Sequence, residues 1–280
     1  MDHKYTDIPD GDYFAIDAVN QSLLKQVLRS PAHARTYLEN PPEPTAAMRL
    51  GTAVHLAVLE PDQFKRGVVI EPTINRRTKE GRLQYQAFLK QATGKTVITK
   101  EQAATCVQVG HAVTRHQSAM SLLNSGDKEL AYRWEDPATG LMCKAKCDVS
   151  GGEEKIVVDL KTTRDASTTE FPRSCAKFLY HLQAAFYLRG VSGLPTGVDA
   201  YKDGWRFYIV AVETSAPHST AVYKLDARSI IEGDKLVDRS MRAWAEAKLL
   251  GVFPGYDDEV VSLGLPAWAL TEHEEENIDA

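Results

Sequence analysis

The tripeptide Asp159-Leu160-Lys161 combines residue types and spacing that could support hydrolytic chemistry. It follows the apolar run Ile156–Val158, which predicts a central strand that ends in polar residues. Side chains two positions apart on a strand point the same way, so Asp159 and Lys161 share one face. The carboxylate can hold a hard cation such as Mg²⁺, while the lysine can orient or deprotonate a water, or stabilise charge on a phosphorane. Taken alone this pattern is weak, because a surface ion pair has the same spacing.

Asp148 strengthens the pattern, because it precedes Asp159 by eleven residues on the neighbouring predicted strand. The turn signal Ser150–Glu154 folds the chain back between the two strands. A register that places Asp148 opposite Asp159 also pairs Ser150 with Val157, and cross-strand neighbours lie about 5 Å apart. Two carboxylates at that distance repel each other unless a cation lies between them. The sequence therefore favours a metal site at this end of the sheet.

Four other polar residues near these strands each have two interpretations. His55 lies in an apolar stretch with small residues before it, and from the residues alone a satisfied core histidine is the better interpretation. Glu129 opens a predicted strand, where a surface glutamate is compatible with the pattern and a metal-binding acid is implied only by the family resemblance set out below. Lys144 and Lys146 precede Asp148 at period two, so they either face a nucleic-acid backbone or are solvated.

The elements that must position these residues predict an α+β or mixed α/β core with a helical N-terminal elaboration. We expect an N-terminal arm over residues 1–16, a single domain over 17–250 and an acidic, flexible tail over 251–280. Within the domain, residues 17–127 form the helical part, and residues 128–250 form the catalytic sheet and its helices. The helices are predicted at Asn20–Arg29, from Ser30-Pro31, at Thr45–Leu59, Leu83–Ala92, Thr99–Asn124, Cys175–Arg189 and Asp226–Leu250, with a basic loop at Gly67–Gly81. The strands are predicted at Glu129–Trp134, Leu141–Val149, Ile156–Lys161, Asp199–Tyr201, Trp205–Val212 and Thr220–Leu225.

The composition is that of an ordinary globular protein and excludes several classes. The 280 residues are 43% hydrophobic and 25% charged, enough for a sizeable core. No apolar run approaches the roughly 18 residues that a membrane span needs, and the polar N-terminus is unlike a signal peptide. The four cysteines form no Cys-x-x-Cys pair, so we expect reduced structural thiols, with a metal or cluster site as the alternative. These features predict a cytoplasmic protein without a membrane partner.

The charge distribution is more informative than the net charge of −5. The segment Leu249–Ala280 contains eight acids and no Lys or Arg, so residues 1–248 carry a net charge of +3. Phe64–Lys100 holds nine Lys or Arg against Glu71 and Glu80. A basic surface of this kind could bind phosphate, although a solvated loop and helix surface would have the same composition.

Five strings together resemble the exonuclease VIII family, which is the RecE nuclease domain in the RecB-like branch of the PD-(D/E)xK nuclease superfamily. They are GTAVHLAVLEP (51–61), GLMCKAKCDV (140–149), IVVDLKTT (156–163), YHLQAAFYL (180–188) and LLKQVLRSPAHAR (23–35). The resemblance extends from about residue 17 to residue 250, and the motifs occur in the family's order. RecE itself has a long N-terminal region that is missing here, so we expect a free-standing nuclease domain.

The resemblance implies a role for each matching residue. His55, Asp148 and Asp159 match metal ligands, the backbone carbonyl of Leu160 completes the set, and Lys161 matches the catalytic lysine. Gln183 and Tyr187 match a Gln-x-x-x-Tyr motif, and their i, i+4 spacing places both on one helix face. Ordinary helix packing is the alternative for these two residues.

The resemblance also implies a function and partners. It implies a Mg²⁺-dependent exonuclease, with Mn²⁺ as a substitute, that degrades double-stranded DNA processively from 5′ to 3′ and leaves 3′ overhangs for recombination. A ring of three or four subunits and a RecT-like annealing protein are implied partners, in a bacterial or phage-infected cell. Two alternatives remain: a RecB-like nuclease of single-stranded or flap DNA, and a non-catalytic DNA-binding module.

Overall fold

A six-stranded mixed sheet forms the centre of the computed structural model, which describes residues 4–5, 8, 10–151, 154–256 and 258–266. The strands in chain order are β1 (Lys4–Tyr5), β2 (Val68–Ile70), β3 (Thr96–Ile98), β4 (Asp127–Glu135), β5 (Met142–Gly151), β6 (Ile156–Thr163), β7 (Arg206–Glu213) and β8 (Thr220–Lys224). The central sheet has the order β1-β4-β5-β6-β7-β8, in which only β6 and β7 are parallel. The mixed sheet confirms the predicted fold class.

Helices cover both faces of this sheet. They are α1 (Asp10–Ala15), α2 (Gln21–Val27), α3 (Pro31–Glu39), α4 (Ala46–Leu59), α5 (Pro61–Gly67), α6 (Lys79–Gln91), α7 (Lys100–Arg115), α8 (Gln117–Leu123), α9 (Phe171–Lys177), α10 (Tyr180–Ser192), α11 (Gly197–Lys202) and α12 (Ala227–Leu250). One core joins the sheet to α2, α10 and α12, and contains Leu24, Phe186 and Ile230. A second core joins the opposite face to α4, α7 and α8, and contains Val54 and Val109.

The hydrogen-bonded caps explain why several helix starts could be predicted. Ser30, Thr45 and Thr99 each accept a hydrogen bond from a backbone amide three residues later. Thr99 also forms the predicted capping box with Gln102. Asp226 caps α12 in the same way. Because each cap satisfies a backbone donor that has no partner inside the helix, it fixes where the helix begins.

Four predicted elements were wrong in detail. Residues 199–201 lie in helix α11, not in a strand, because Thr196 caps that helix by accepting from the Asp199 amide at 2.9 Å. The helix predicted over 175–189 is divided into α9 and α10 by Leu179, which has a left-handed φ of 54°. The helix predicted over 99–124 is interrupted at His116, and the predicted loop 67–81 contains strand β2, which pairs with β3.

The predicted N-terminal helical part is built into the domain. Leu23, Leu24 and Val27 of α2 are buried in the core that contains the sheet. The start of the predicted tail also packs, since Pro254 accepts a hydrogen bond from the Ala32 amide at 3.0 Å. Residues 267–280, which include most of the acidic tail, lie outside the described residues. The domain boundaries therefore stay predictions.

One prediction from composition, that of free thiols, agrees with the structure. All four cysteines are free thiols: Cys106, Cys143 and Cys147 are buried, and Cys175 is partly buried. Among the described helices, none is long and apolar enough to cross a membrane. The basic residues of the Phe64–Lys100 segment are mostly exposed, and its proposed role in phosphate binding stays a prediction.

Candidate active site

Three side chains that can bind a cation meet where β4, β5 and α4 converge. His55 comes from α4, Glu129 from β4 and Asp148 from β5, and one ligand atom of each lies within 4.8 Å of the others. His55 Nδ1 is 3.4 Å from Asp148 Oδ2, and the same oxygen accepts a hydrogen bond from the Leu160 amide at 2.6 Å. Asp148 therefore connects α4 to β6, the strand that carries Asp159 and Lys161.

An irregularity in the sheet turns Glu129 and Asp148 towards His55. Glu129 has a φ of 53°, a left-handed conformation that costs a non-glycine residue roughly 1–2 kcal/mol. Residues two apart on a regular strand face the same side, yet Cys147 packs in one core and Val149 in the other. The alternation of β5 thus reverses at Asp148, opposite the strained residue. Such local strain is typical of sites where a side chain has to be aimed.

Asp159 and Lys161 form a second, more deeply buried group next to this cluster. Asp159 Oδ2 is 2.5 Å from Lys161 Nζ, and only 4% of the Asp159 side chain is exposed. Its other oxygen accepts a hydrogen bond from Gln183 Nε2 of α10 at 2.6 Å. The predicted register is confirmed, because Ser150 pairs with Val157 and Val149 with Val158. Asp148 and Asp159 are therefore neighbours, although the Asp159 oxygens are held by Lys161 and Gln183.

The electrostatics of the three-residue cluster favour a bound positive charge. Burial opposes the charged form of His55, but the Asp148 carboxylate outweighs it and raises the pKa of His55 to about 9. Burial raises the pKa of Glu129 to about 7, and the charge of Asp148 adds to this. Burial would also raise the pKa of Asp148, but the charges of His55 and Lys161 hold that pKa below its usual value. The Lys146 ammonium lies 3.1 Å from Glu129, where it offsets part of the negative charge.

Lys161 is held in its protonated form. Burial alone would lower the pKa of Lys161, but the carboxylates of Asp159 and Asp148 raise it above its ordinary value. The pKa of Asp159 is raised by burial and by the charge of Asp148, against the effect of Lys161. A lysine that stays charged can donate hydrogen bonds and stabilise negative charge. This favours charge stabilisation over proton abstraction among the roles that the sequence left open.

Three other residues that the sequence singled out, Tyr187, Leu160 and Lys144, are buried. Tyr187 lies one helical turn after Gln183, is buried, and packs edge-on to Phe207, so packing accounts for its position. Leu160 is fully buried and its amide binds Asp148, while the predicted role of its carbonyl stays a prediction. Neither alternative for Lys144 was right, because its ammonium is buried and donates to the carbonyls of Tyr13, Phe14 and Ile16.

Two residues of the site were missed by sequence reasoning. Lys25 of α2 and Tyr180 of α10 lie beside Lys161, since both ammonium groups approach the Tyr180 ring. Lys25 lies beside the apolar stripe of a short amphipathic helix, where a lysine usually reaches solvent. Only the packing of α2 against α10 brings it to the site, and no signal in its local sequence could have shown this.

The donor set of the cluster fits a hard divalent cation. Two carboxylates and one imidazole suit a divalent cation better than the soft metals that prefer thiolates. Ligands that bind one Mg²⁺ at about 2.1 Å lie at most about 4.2 Å apart. The observed spread of up to 4.8 Å is close to that limit, so small side-chain movements would complete the site.

Comparison with known proteins shows which family contains this chain. A family model described as a "PDDEXK-like domain of unknown function (DUF3799)" matches residues 20–261, which include every site residue named above. A crystal structure of a proposed exonuclease from Eubacterium rectale is similar to this chain with a TM-score of 0.63 at 14% identity. The similarity covers 94% of this chain and 97% of that one, so the two share a fold.

The other comparisons add little. A crystal structure of SSO0001 is 13% identical, covers 68% of this chain and 84% of that one, and has a TM-score of 0.29, too low to bear on the fold. No curated protein sequence matches the chain.

Proposed function

The chain belongs to this family of PDDEXK-like domains, and on that premise we propose that it is a metal-dependent deoxyribonuclease. The observation that carries the proposal is the placement of the His55–Glu129–Asp148 cluster beside the buried Asp159–Lys161 pair. Phosphodiester hydrolysis needs a cation site and a fixed positive charge close together, and this part of the sheet offers both.

In this proposal one group of residues binds the cation, and Lys161 provides a fixed positive charge. His55, Glu129 and Asp148 would hold a Mg²⁺ ion, with Asp159 nearby, and the ion would supply a Lewis acid and lower the pKa of a bound water. Lys161 donates hydrogen bonds to the phosphate oxygens as negative charge develops on them. Asp159 holds the Lys161 ammonium at 2.5 Å, and Gln183 fixes the Asp159 carboxylate through its other oxygen. Mn²⁺ suits the same donor set.

We propose double-stranded DNA ends as the substrate, degraded processively from 5′ to 3′ to leave 3′ single strands for recombination by strand annealing. The resemblance of five sequence segments to the exonuclease VIII family supports this polarity. The proposed exonuclease from Eubacterium rectale, whose fold is similar, supports attack at ends. A RecB-like nuclease of single-stranded or flap DNA would use the same residues, so the substrate has to be tested directly.

A non-catalytic DNA-binding module is disfavoured by the site itself. A decayed nuclease would tolerate loss of any one ligand. Here His55, Asp148, Asp159 and Lys161 are all present and all within one network of ion pairs and hydrogen bonds. Burying four ionisable groups is costly unless they are mutually paired, and a binding surface gains nothing from that cost.

The decisive experiment is a time course on a linear duplex labelled at either its 5′ or its 3′ ends, with Mg²⁺, Mn²⁺, Ca²⁺ or EDTA. We expect cleavage with Mg²⁺ and Mn²⁺, and release of the 5′ label first. Asp148→Ala and Lys161→Ala should each lower the rate by about 10²–10³-fold, the range seen on removing one transition-state contact. Asp203→Ala is the matched control, because it breaks an exposed Lys155–Asp203 pair at the opposite end of β6.

Two results would contradict parts of this proposal. No cleavage of duplex, single-stranded or flapped DNA by the wild-type protein with either metal would remove the nuclease assignment. Preferential cleavage of single-stranded or flapped DNA would keep the enzyme class and replace the substrate.

We also propose a cyclic assembly of three or four subunits around the duplex, acting with a RecT-like annealing protein. A ring would keep the enzyme on DNA through many cycles, which a basic groove alone does poorly at physiological salt. The mostly exposed basic segment Phe64–Lys100 would line its channel. Light scattering tests the ring, and a monomer of 31.0 kDa that digests long duplexes without release would exclude it.

A further inference from the structure

Lys25 of helix α2 lies close to Lys161, the proposed catalytic lysine on strand β6. The Lys25 ammonium lies 5.7 Å from the centroid of the Tyr180 ring, and the Lys161 ammonium lies 5.2 Å from the same centroid. Two cations that share one aromatic ring both gain from its negative face, but they also repel each other. The repulsion between the two ammonium groups therefore offsets part of that gain.

Lys161 has a counter-ion, whereas none is found for Lys25 among the residues that the structure describes. Asp159 binds Lys161 at 2.5 Å through one oxygen, and its other oxygen is taken by Gln183. In the ranges that the structure describes, Lys25 forms neither an ion pair nor a hydrogen bond, and the Tyr180 ring is its described contact. Burial, and then the charge of Lys161, lowers the pKa of Lys25 to about 8. The Asp159 carboxylate opposes this shift but is already ion-paired with Lys161, so the mostly buried Lys25 ammonium is weakly stabilised in the free protein.

The position of Lys25 is fixed by the packing of its helix. Leu23, Leu24 and Val27 of α2 are buried in the core, and Asn20 caps the helix by accepting from the Leu23 amide. A lysine on a free surface usually turns its ammonium into water and buries only its stem. Lys25 instead keeps its ammonium beside the site.

We propose that Lys25 binds a phosphate of the DNA strand adjacent to the phosphate that is cut, with the Tyr180 ring holding its stem and ammonium in place. This inference rests on the proposed nuclease function and extends it to a second phosphate position. A phosphate there provides the negative charge that Lys25 lacks and separates it electrostatically from Lys161. Lysine recognises phosphate as a point charge, so the contact selects the strand backbone and not the base.

The test compares Lys25→Met, Lys25→Gln and Lys25→Arg with wild type for kcat and KM on a defined linear duplex. Each neutral variant should lower kcat/KM by about 10- to 100-fold, the loss expected for one charge-assisted hydrogen bond. Lys25→Arg should restore most of the activity. Lys177→Met is the matched control, because Lys177 is an exposed lysine over the neighbouring Phe178 ring, and it should stay within about twofold of wild type.

A second series identifies the phosphate itself. One linkage at a time, from the end inwards, is replaced by an uncharged methylphosphonate. In the wild type, one linkage next to the cut should show a penalty of about tenfold or more. In Lys25→Met or Lys25→Gln that penalty should fall to about twofold, because its partner has already been removed. A merely structural role for Lys25 would not change the penalty at one particular linkage.

The outcomes separate this inference from the function on which it rests. Wild-type protein that cuts no linear DNA removes the proposed function. Wild-type protein that cuts DNA, together with folded neutral variants that keep its kcat/KM or its full set of methylphosphonate penalties, overturns the Lys25 assignment alone.

Discussion

Gln183→Leu tests whether α10 holds the Asp159 carboxylate in place. The Gln183 side chain is 3% exposed and donates its hydrogen bond to Asp159 Oδ1 at 2.6 Å. Leucine has a similar volume but cannot donate, so the change leaves a buried carboxylate oxygen without its partner. Lys161 still holds the other oxygen, so the carboxylate keeps its charge but loses one of its two fixed directions.

The magnitude follows from the kind of hydrogen bond that is lost. A hydrogen bond to a charged group contributes about 1.5–3 kcal/mol, so we expect the free energy of unfolding to fall by about 2 kcal/mol. For a domain of this size, that corresponds to a fall in Tm of about 4–8 °C. We also expect the cleavage rate to fall by at least tenfold, because a carboxylate that rotates no longer orients Lys161.

Thermal unfolding and single-turnover cleavage should be measured on the same preparations. Gln108→Leu is the control, since Gln108 is an exposed glutamine within helix α7. In an Asp159→Ala background, Gln183→Leu should cost much less than in the wild type, because its partner is gone. Gln183→Leu protein with wild-type Tm and wild-type cleavage would refute the positioning role and leave Gln183 as a packing residue.

Three other changes test the rest of the site and the fold. Lys161→Met should destabilise the metal-free protein to urea by about 3–5 kcal/mol, because it leaves Asp159 buried without a counter-ion, and adding Asp159→Asn should recover part of the loss. Gly233→Ala should lower Tm strongly, since a Cβ there would lie 2.1 Å from the His181 carbonyl oxygen, whereas Gly110→Ala meets nothing within 4 Å and should stabilise helix α7 by about 0.5–1 kcal/mol. Mg²⁺ at 100 times its Kd should stabilise the wild type by about 2.7 kcal/mol in calorimetry but should leave Asp148→Ala unchanged. EDTA should not unfold the wild type.

Strands β5 and β6 could be predicted because short-range rules determine them. Alternation placed Asp159 and Lys161 on one face, and the turn after Asp148 fixed a register that the pairing of Ser150 with Val157 confirms. The cap residues gave the starts of the helices for the same reason. Each of these signals depends on neighbours within a few positions, and a single sequence contains them.

The features that could not be predicted depend on contacts between distant segments. The reversal of side-chain alternation at Asp148 requires the left-handed Glu129 on the opposite strand, and glutamate gives no sign of that conformation. Lys144 resembles a solvent-facing strand lysine until the carbonyls at the end of α1 surround it. Lys25 reaches the site only because α2 packs against α10.

The pairing of charges explains why the fold should not depend on its metal. Without a cation, each acid of the site has a basic neighbour: His55 for Asp148, Lys146 for Glu129 and Lys161 for Asp159. A buried charge is costly when it is unpaired, and these pairs remove that cost before any metal binds. To be bound by His55, Glu129 and Asp148, a cation must displace the proton of His55 and compete with Lys146 for Glu129, and both requirements weaken binding compared with an unpaired acidic cluster. Such a site gives up some metal affinity and in return keeps its ligands positioned when the cation leaves.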